Sequence, residues 1–183
     1  MALLTESDGD LIIRAQQGDR HSFGVLVTRY RERVINVVHR MCGDVGLAED
    51  AAQEAFVRAW QSLPRYDHRG TFAAWLCRIA VNRALDHLRR DRPTVDVELL
   101  PLRSREPGPE RRAEEVELQE RVQEAVLALP LASRTALVLR EYEGLSYREI
   151  AETLDIPIGT VMSRLNYARS RLREMLATYV EAA

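Results

Sequence analysis

The sequence predicts an all-α protein: two small helical domains joined by a flexible linker. Apolar residues recur at three- and four-residue spacing through most of the chain, and no segment alternates with the period of a strand. Between these patterned stretches, RPTVDVELLPLRSREPGPERRAEE (92–115) holds four of the seven prolines, mixed charge and no apolar period. The domains expected are therefore 1–91 and 116–183, with 92–115 as the linker, and 183 residues suffice for two small cores.

Each element has a local reason. Asp10 to Gln17 reads as a short helix, and Ser22 to Met41 as a long one with Phe23, Leu26, Val27, Tyr30, Val34, Val37 and Val38 at helical spacing. Gly43-Asp44 breaks it. Leu47 to Leu63 is a third helix, ended by Pro64. Thr71 is placed to cap a fourth, Phe72 to Asp91, which Pro93 stops. Beyond the linker, Leu118 to Leu129 ends at Pro130 and Ser133 to Tyr142 ends at Gly144. Ser146 opens a short helix with Glu149 three residues on, the pattern of a capping box. Asp155-Ile156-Pro157 makes a tight break before a long helix from Ile158 to Val180.

Bulk composition narrows the function classes. Hydrophobic residues make up 46% and charged residues 30%, a globular balance. The longest apolar run is too short to span a bilayer, and MALLTESDGD carries acids where a signal peptide would be apolar, so a cytoplasmic protein with no membrane insertion is expected. Cys42 and Cys77 lie in helical patterns without a CxxC, as buried thiols in a reducing compartment would. His21, His39, His68 and His87 are scattered; no metal site, Gly-rich phosphate loop or nucleophile elbow is present, so neither an enzyme nor a cofactor is expected. Net charge is −2, which argues against a uniformly basic surface, but all 26 basic residues are arginine, the better fork for phosphate and guanine.

Two helices separated by three residues, Ser146–Leu154 and Ile158–Val180, have the layout of a helix-turn-helix. At about 100° per residue, Val161, Leu165, Ala168, Leu172, Met175 and Leu176 form the packed stripe of the second helix. Gly159, Ser163, Asn166 and Ser170 lie opposite, flanked by Met162, Tyr167 and Arg173, with Arg164, Arg169 and Arg171 at the borders. From Ile158 to Arg173 there are four arginines and no acid. Small polar groups let a helix approach base edges, and arginines at its margins can hold phosphates. This helix is expected to face DNA.

The third and fourth helices carry other surfaces. In the third, Ala48, Ala52, Ala55, Phe56, Ala59, Trp60 and Leu63 point one way and Asp50, Gln53, Glu54, Val57 and Gln61 the other. A single apolar residue within an acid-and-amide rim suits a protein-docking surface. In the fourth, a stripe that begins as Phe72, Trp75, Leu76 and Ile79 continues as Arg83, Asp86 and Arg90, while Val81, Ala84, Leu85 and Leu88 build a second apolar face. The buried side is thus expected to swap along the helix. Arg78, Asn82 and Arg89 lie on a neighbouring flank, and an arginine track beginning beside aromatic rings is how single-stranded DNA is commonly held.

Three blocks, AEDAAQEAFVRAWQSLPRY (48–66), TFAAWLCRIAVNRALDHLRR (71–90) and LPLASRTALVLREYEGLSYREIAETLDIPIGTVMSRLNYARSRLRE (129–174), are similar in order and spacing to regions 2.2, 2.3–2.4 and 4 of the extracytoplasmic-function (ECF) sigma factors. These are the small two-domain members of the bacterial sigma-70 family. The resemblance implies a non-enzymatic subunit that binds core RNA polymerase, reads the −35 element as duplex and the −10 element as single strand, and opens the promoter. It makes the β′ clamp helices the partner of Asp50, Gln53, Glu54, Val57 and Gln61, adds contacts to the β subunit, and implies an anti-sigma factor. By the same resemblance the loop with Tyr66, Asp67, His68 and Arg69 holds a flipped −10 base, while Arg78, Asn82, Arg83, Asp86, Arg89 and Arg90 serve the −10 strand. Ser163, Asn166 and Tyr167 then read −35 bases with Thr160 beside them; Arg164, Arg169, Arg171 and Arg173 grip phosphates, and Tyr147 and Arg148 add backbone contacts. One departure stands out: Met162 occupies a position commonly Lys or Arg in the family. Methionine cannot donate to guanine or phosphate and can only pack, for example on a thymine methyl.

The competing reading is a self-sufficient helix-turn-helix regulator with a ligand-sensing first domain. Such proteins are usually dimers, and the first domain shows neither a dimer seam nor a ligand pocket.

Overall fold

The computed structural model of the chain describes residues 6–67, 70–90 and 113–180, with the side chains of 113–117 and 178–180 outside that description. Of the linker expected at 92–115, residues 92–112 lie outside the described residues, as do His68 and Arg69 of the expected base pocket, while 113–115 belong to a helix. The described residues form helices α1 (Asp8–Gln16), α2 (Arg20–Cys42), α3 (Val45–Ser62), α4 (Phe72–Arg90), α5 (Ala113–Leu127), α6 (Leu131–Glu141), α7 (Tyr147–Leu154) and α8 (Ile158–Val180), with a 3-10 turn at Leu63–Arg65 after α3. No strand occurs among them. They divide into two compact units, Met1–His39 with Asp44–Asp91, and Arg40–Gly43 with Arg92–Ala183.

In the first unit, the Ser7 hydroxyl accepts from the Asp10 amide at 3.2 Å to cap α1, and Asp44 Oδ1 accepts from the Leu47 amide at 2.9 Å to cap α3. These caps set the helices two residues earlier than apolar spacing alone suggests. Thr71 caps α4 as expected, its hydroxyl accepting from the Ala74 amide at 3.2 Å. α3 packs along α4, and both helices bury small residues: Ala48, Ala51, Ala52, Ala55 and Ala59 in the first, Ala73, Cys77, Ala80 and Ala84 in the second. Side chains this small let the two backbones approach closely.

That close approach corrects the expectation of a swapping face on α4. The buried set Phe72, Ala73, Leu76, Cys77, Ala80, Val81 and Ala84 is one continuous stripe. Its middle is built from alanines and a cysteine, which a wheel weighted towards large apolar residues passes over. Trp75 and Ile79 are half-buried at its edge.

Tyr30, Tyr66, Phe72 and Trp75 make an aromatic cluster, with ring centroids 5.3 Å (Tyr30–Phe72), 5.8 Å (Tyr66–Phe72), 4.8 Å (Tyr66–Trp75) and 5.5 Å (Phe72–Trp75) apart. Burial, then a hydrogen bond to Asp8, pushes the Tyr30 phenol up to about 12. Gln16 Nε2 donates to the carbonyls of Leu63 (3.1 Å) and Tyr66 (2.9 Å), tying the turn after α3 to α1.

In the second unit, α8 packs on α5, α6 and α7. α6 begins at Leu131 because the Pro130 carbonyl accepts from the amides of both Ser133 and Arg134 at 2.9 Å, so Pro130 is the cap rather than only a stop. α7 has the capping box: Ser146 Oγ accepts from the Glu149 amide at 3.2 Å, and the Ser146 amide donates to Glu149 Oε2 at 2.8 Å. Hydrogen bonding of the Glu149 carboxyl to the Ser146 hydroxyl first, then to its amide, holds it below its ordinary value. α7 then stops at Asp155, which sits in the left-handed region (φ 52°, ψ 53°). The Ile156 amide donates back to the Ala151 carbonyl at 3.1 Å, which closes the end of the helix. Ile150, Ala151, Val161, Leu165 and Ala168 are buried where the pair packs.

Candidate nucleic-acid interface

The packed stripe of α8 falls where the sequence puts it: Val161, Leu165 and Ala168 are buried, and Leu172, Met175 and Leu176 half-buried. Opposite, Gly159, Met162, Ser163, Asn166, Tyr167, Ser170 and Arg173 are exposed. Met162 is 48% exposed and Tyr167 50%, large values for residues of this size, and Ile158 adds a third exposed apolar group at 45%. Thr160 is half-buried, and the Ser163 hydroxyl donates to its carbonyl at 3.0 Å.

The four arginines of α8 are not equivalent. Arg169 Nη2 lies 2.8 Å from Glu141 Oε1, and its Nη1 donates to the Tyr147 hydroxyl at 3.4 Å. Glu141 first, then Tyr147, holds the guanidinium above its ordinary value. Tyr147 in turn lies beneath the Arg140 guanidinium, 5.3 Å from the ring centroid. Arg171 pairs with Glu174 within the helix at 2.8 Å. Arg164, half-buried, and Arg173, exposed, make no ion pair or hydrogen bond among the described residues. Exposed Arg148 on α7 likewise makes none among them. Glu141 is the residue that sequence reasoning missed: it lies 28 positions before Arg169, on another helix, and no local pattern links the two.

In the first unit, the flank of α4 carries a small charged network. Arg83 Nη2 pairs with Asp86 Oδ2 at 2.6 Å, and Arg89 Nη1 is 3.7 Å from Asp86 Oδ1. Arg78 and Arg90 are exposed and Asn82 half-buried beside it. Tyr66, expected in a base pocket, is buried in the aromatic cluster with its hydroxyl donating to the Gly70 carbonyl at 3.3 Å; Asp67 is exposed. Burial raises the Tyr66 phenol above its ordinary value. On α3, Asp50, Gln53, Glu54, Val57 and Gln61 are all exposed, Val57 at 53%. Glu54 also meets His87 Nε2 at 3.0 Å, which joins this face to α4. Among the described residues no group of three His, Cys, Asp or Glu could hold a metal ion, and no helix is long and apolar enough to cross a membrane.

A helix-turn-helix whose second helix carries no acid from Ile158 to Arg173, on a chain with a second helical unit bearing its own arginine flank, defines the class: a two-domain DNA-recognition protein. Residues 26–94 match the Sigma-70 region 2 family and residues 119–172 the Sigma-70 region 4 family. The chain is 37% identical to the RNA polymerase sigma-H factor of Pseudomonas aeruginosa, over 99% of this chain and all of that protein. It is 38% identical to the ECF RNA polymerase sigma-E factor of Escherichia coli, over 91% of this chain and 92% of that one. Among solved structures it is similar to CnrH in complex with the cytosolic domain of CnrY, at 28% identity and TM-score 0.66, over 94% of this chain and 99% of that one. The chain therefore belongs to the sigma-70 family, in its extracytoplasmic-function group, and is a non-enzymatic sigma factor of promoter-specific transcription initiation.

Proposed function

We propose that α8 reads the −35 element in the major groove, with Ser163, Asn166, Tyr167 and Met162 at base edges and Thr160 beside them. The observation that carries this is the outer face of α8: small, polar and exposed at its centre, with no acid from Ile158 to Arg173. Arg164, Arg173 and Arg148 grip phosphates, with Arg171 released from Glu174 as a fourth. Arg169 braces α8 against Glu141 and Tyr147, and so positions the reading helix.

In the first unit, Arg78, Asn82, Arg83, Asp86, Arg89 and Arg90 track the −10 single strand, next to the loop with Tyr66, Asp67, His68 and Arg69. Because Tyr66 is buried against Trp75, its part is to support that loop from beneath. Val57, ringed by Asp50, Gln53, Glu54 and Gln61, is the dry centre of the surface that docks on the β′ clamp helices. The second unit contacts the β subunit. The protein acts in the cytoplasm, restrained by an anti-sigma factor; the complex of the similar CnrH with the cytosolic domain of CnrY supports a protein partner.

In vitro transcription with core polymerase tests the reading. Added protein is expected to direct new, sequence-specific starts and to bind promoter duplex weakly when alone, because its charge is nearly balanced at −2. Free protein that binds its promoter as selectively as the holoenzyme, or core that gains no new starts, overturns it.

A further inference from the structure

We infer that Ile158 and Met162 form an apolar reader of pyrimidine C5-methyl groups, so that the upstream promoter element contains thymine where the first turns of α8 enter the groove. This rests on the −35 reading above and adds the chemical group that is read. The two residues are four apart, on one side of the first two turns, and both are exposed. Together they offer one small apolar contact surface at the start of α8.

Charge identifies that partner. No acid lies between Ile158 and Arg173, and Arg164 and Arg173 make no ion pair or hydrogen bond among the described residues. An apolar protein surface would have to bury those cations, whereas a duplex offers them phosphates. Ile158 is also one wall of a hollow of about 490 Å³ whose lining mixes Arg148 with Glu152 and Asp155. In the major groove the one apolar group on a base edge is the thymine methyl. Four residues advance about 6 Å along a helix. That is close to two base steps of about 3.4 Å, so the pair can meet methyls two positions apart.

The test uses the full chain with core polymerase and a promoter library randomised over the upstream element. Selected promoters are expected to contain thymine there. Replacing each such thymine by deoxyuridine removes the methyl and leaves the base pair intact. At a contacted position, open-complex formation should weaken by about fourfold, the transfer value of one methyl group. Met162→Ala should lose the distinction at its position, with thymine and deoxyuridine promoters used equally, while Ile158→Ala does so two base steps away. Both side chains are exposed, so unfolding is not expected, and circular dichroism checks it. If specific starts appear but the selected element lacks thymine, or deoxyuridine is tolerated throughout, methyl reading is overturned while the −35 assignment stands. If no specific starts appear, both fall.

Discussion

Arg169 and Arg173 lie one turn apart on α8, yet they should behave oppositely towards salt. Arg173 is exposed and unpaired among the described residues, so a phosphate it meets releases about 0.9 of a counterion. Arg169 is 2.8 Å from Glu141, and the pair presents no net charge. Holoenzyme binding to a promoter fragment, followed from roughly 50 to 200 mM salt, reads this directly. Arg173→Ala should flatten the log–log slope by about 0.9, which over that fourfold range changes the ratio to wild type by about 3.5-fold. Arg169→Ala should leave the slope nearly unchanged. Its cost appears instead as at most about 1 kcal/mol of stability, the scale of an exposed ion pair. Glu141→Gln should steepen the slope, because it frees the Arg169 cation. Equal flattening by Arg169→Ala and Arg173→Ala would refute the assignment of Arg169 as a brace.

The remaining predictions concern packing, capping and docking. Leu165 is fully buried at the centre of the α8 stripe, so Leu165→Ala should cost about 2–5 kcal/mol in urea unfolding of the second unit and abolish −35 recognition with it. Ser146→Ala removes half of the capping box and should cost about 1 kcal/mol. It should also flatten the acid limb: with the Glu149 carboxyl held below its ordinary 4.5, the box contributes stability above that pH and loses it as pH falls through the lowered value, a loss the variant, which keeps the backbone bond, shows only in part in pH-dependent melting. Val57→Glu, at an exposed site, should change stability by less than about 0.5 kcal/mol. It should weaken association with core polymerase at least tenfold by titration, the scale of about 1.4 kcal/mol, and retention of full affinity would remove Val57 from the docking surface.

The sequence by itself determined the helical class, the helix-turn-helix and the stripe of α8. These follow from rules that act within a few residues: the 3.6-residue period places Val161, Leu165 and Ala168 on one side, and the Ser146–Glu149 box needs only its own three-residue spacing. Even the exposure of Asp50, Gln53, Glu54, Val57 and Gln61 on α3 follows from their angular positions opposite Ala48, Ala52, Ala55, Phe56 and Ala59.

Packing between helices decided the rest. Which arginine of α8 remains available for a phosphate depends on Glu141, which the fold brings over from α6. The α4 stripe runs through Ala73, Cys77 and Ala80 because α3 lies close against it, and small residues carry little weight in any pattern of hydrophobicity. Tyr66 looks like a loop residue in the sequence, but Phe72 and Trp75 supply the rings that bury it. Periodicity fixes which way a side chain points from its own helix; what it meets there is set by chain segments that are distant in sequence, and only the assembled fold brings them together.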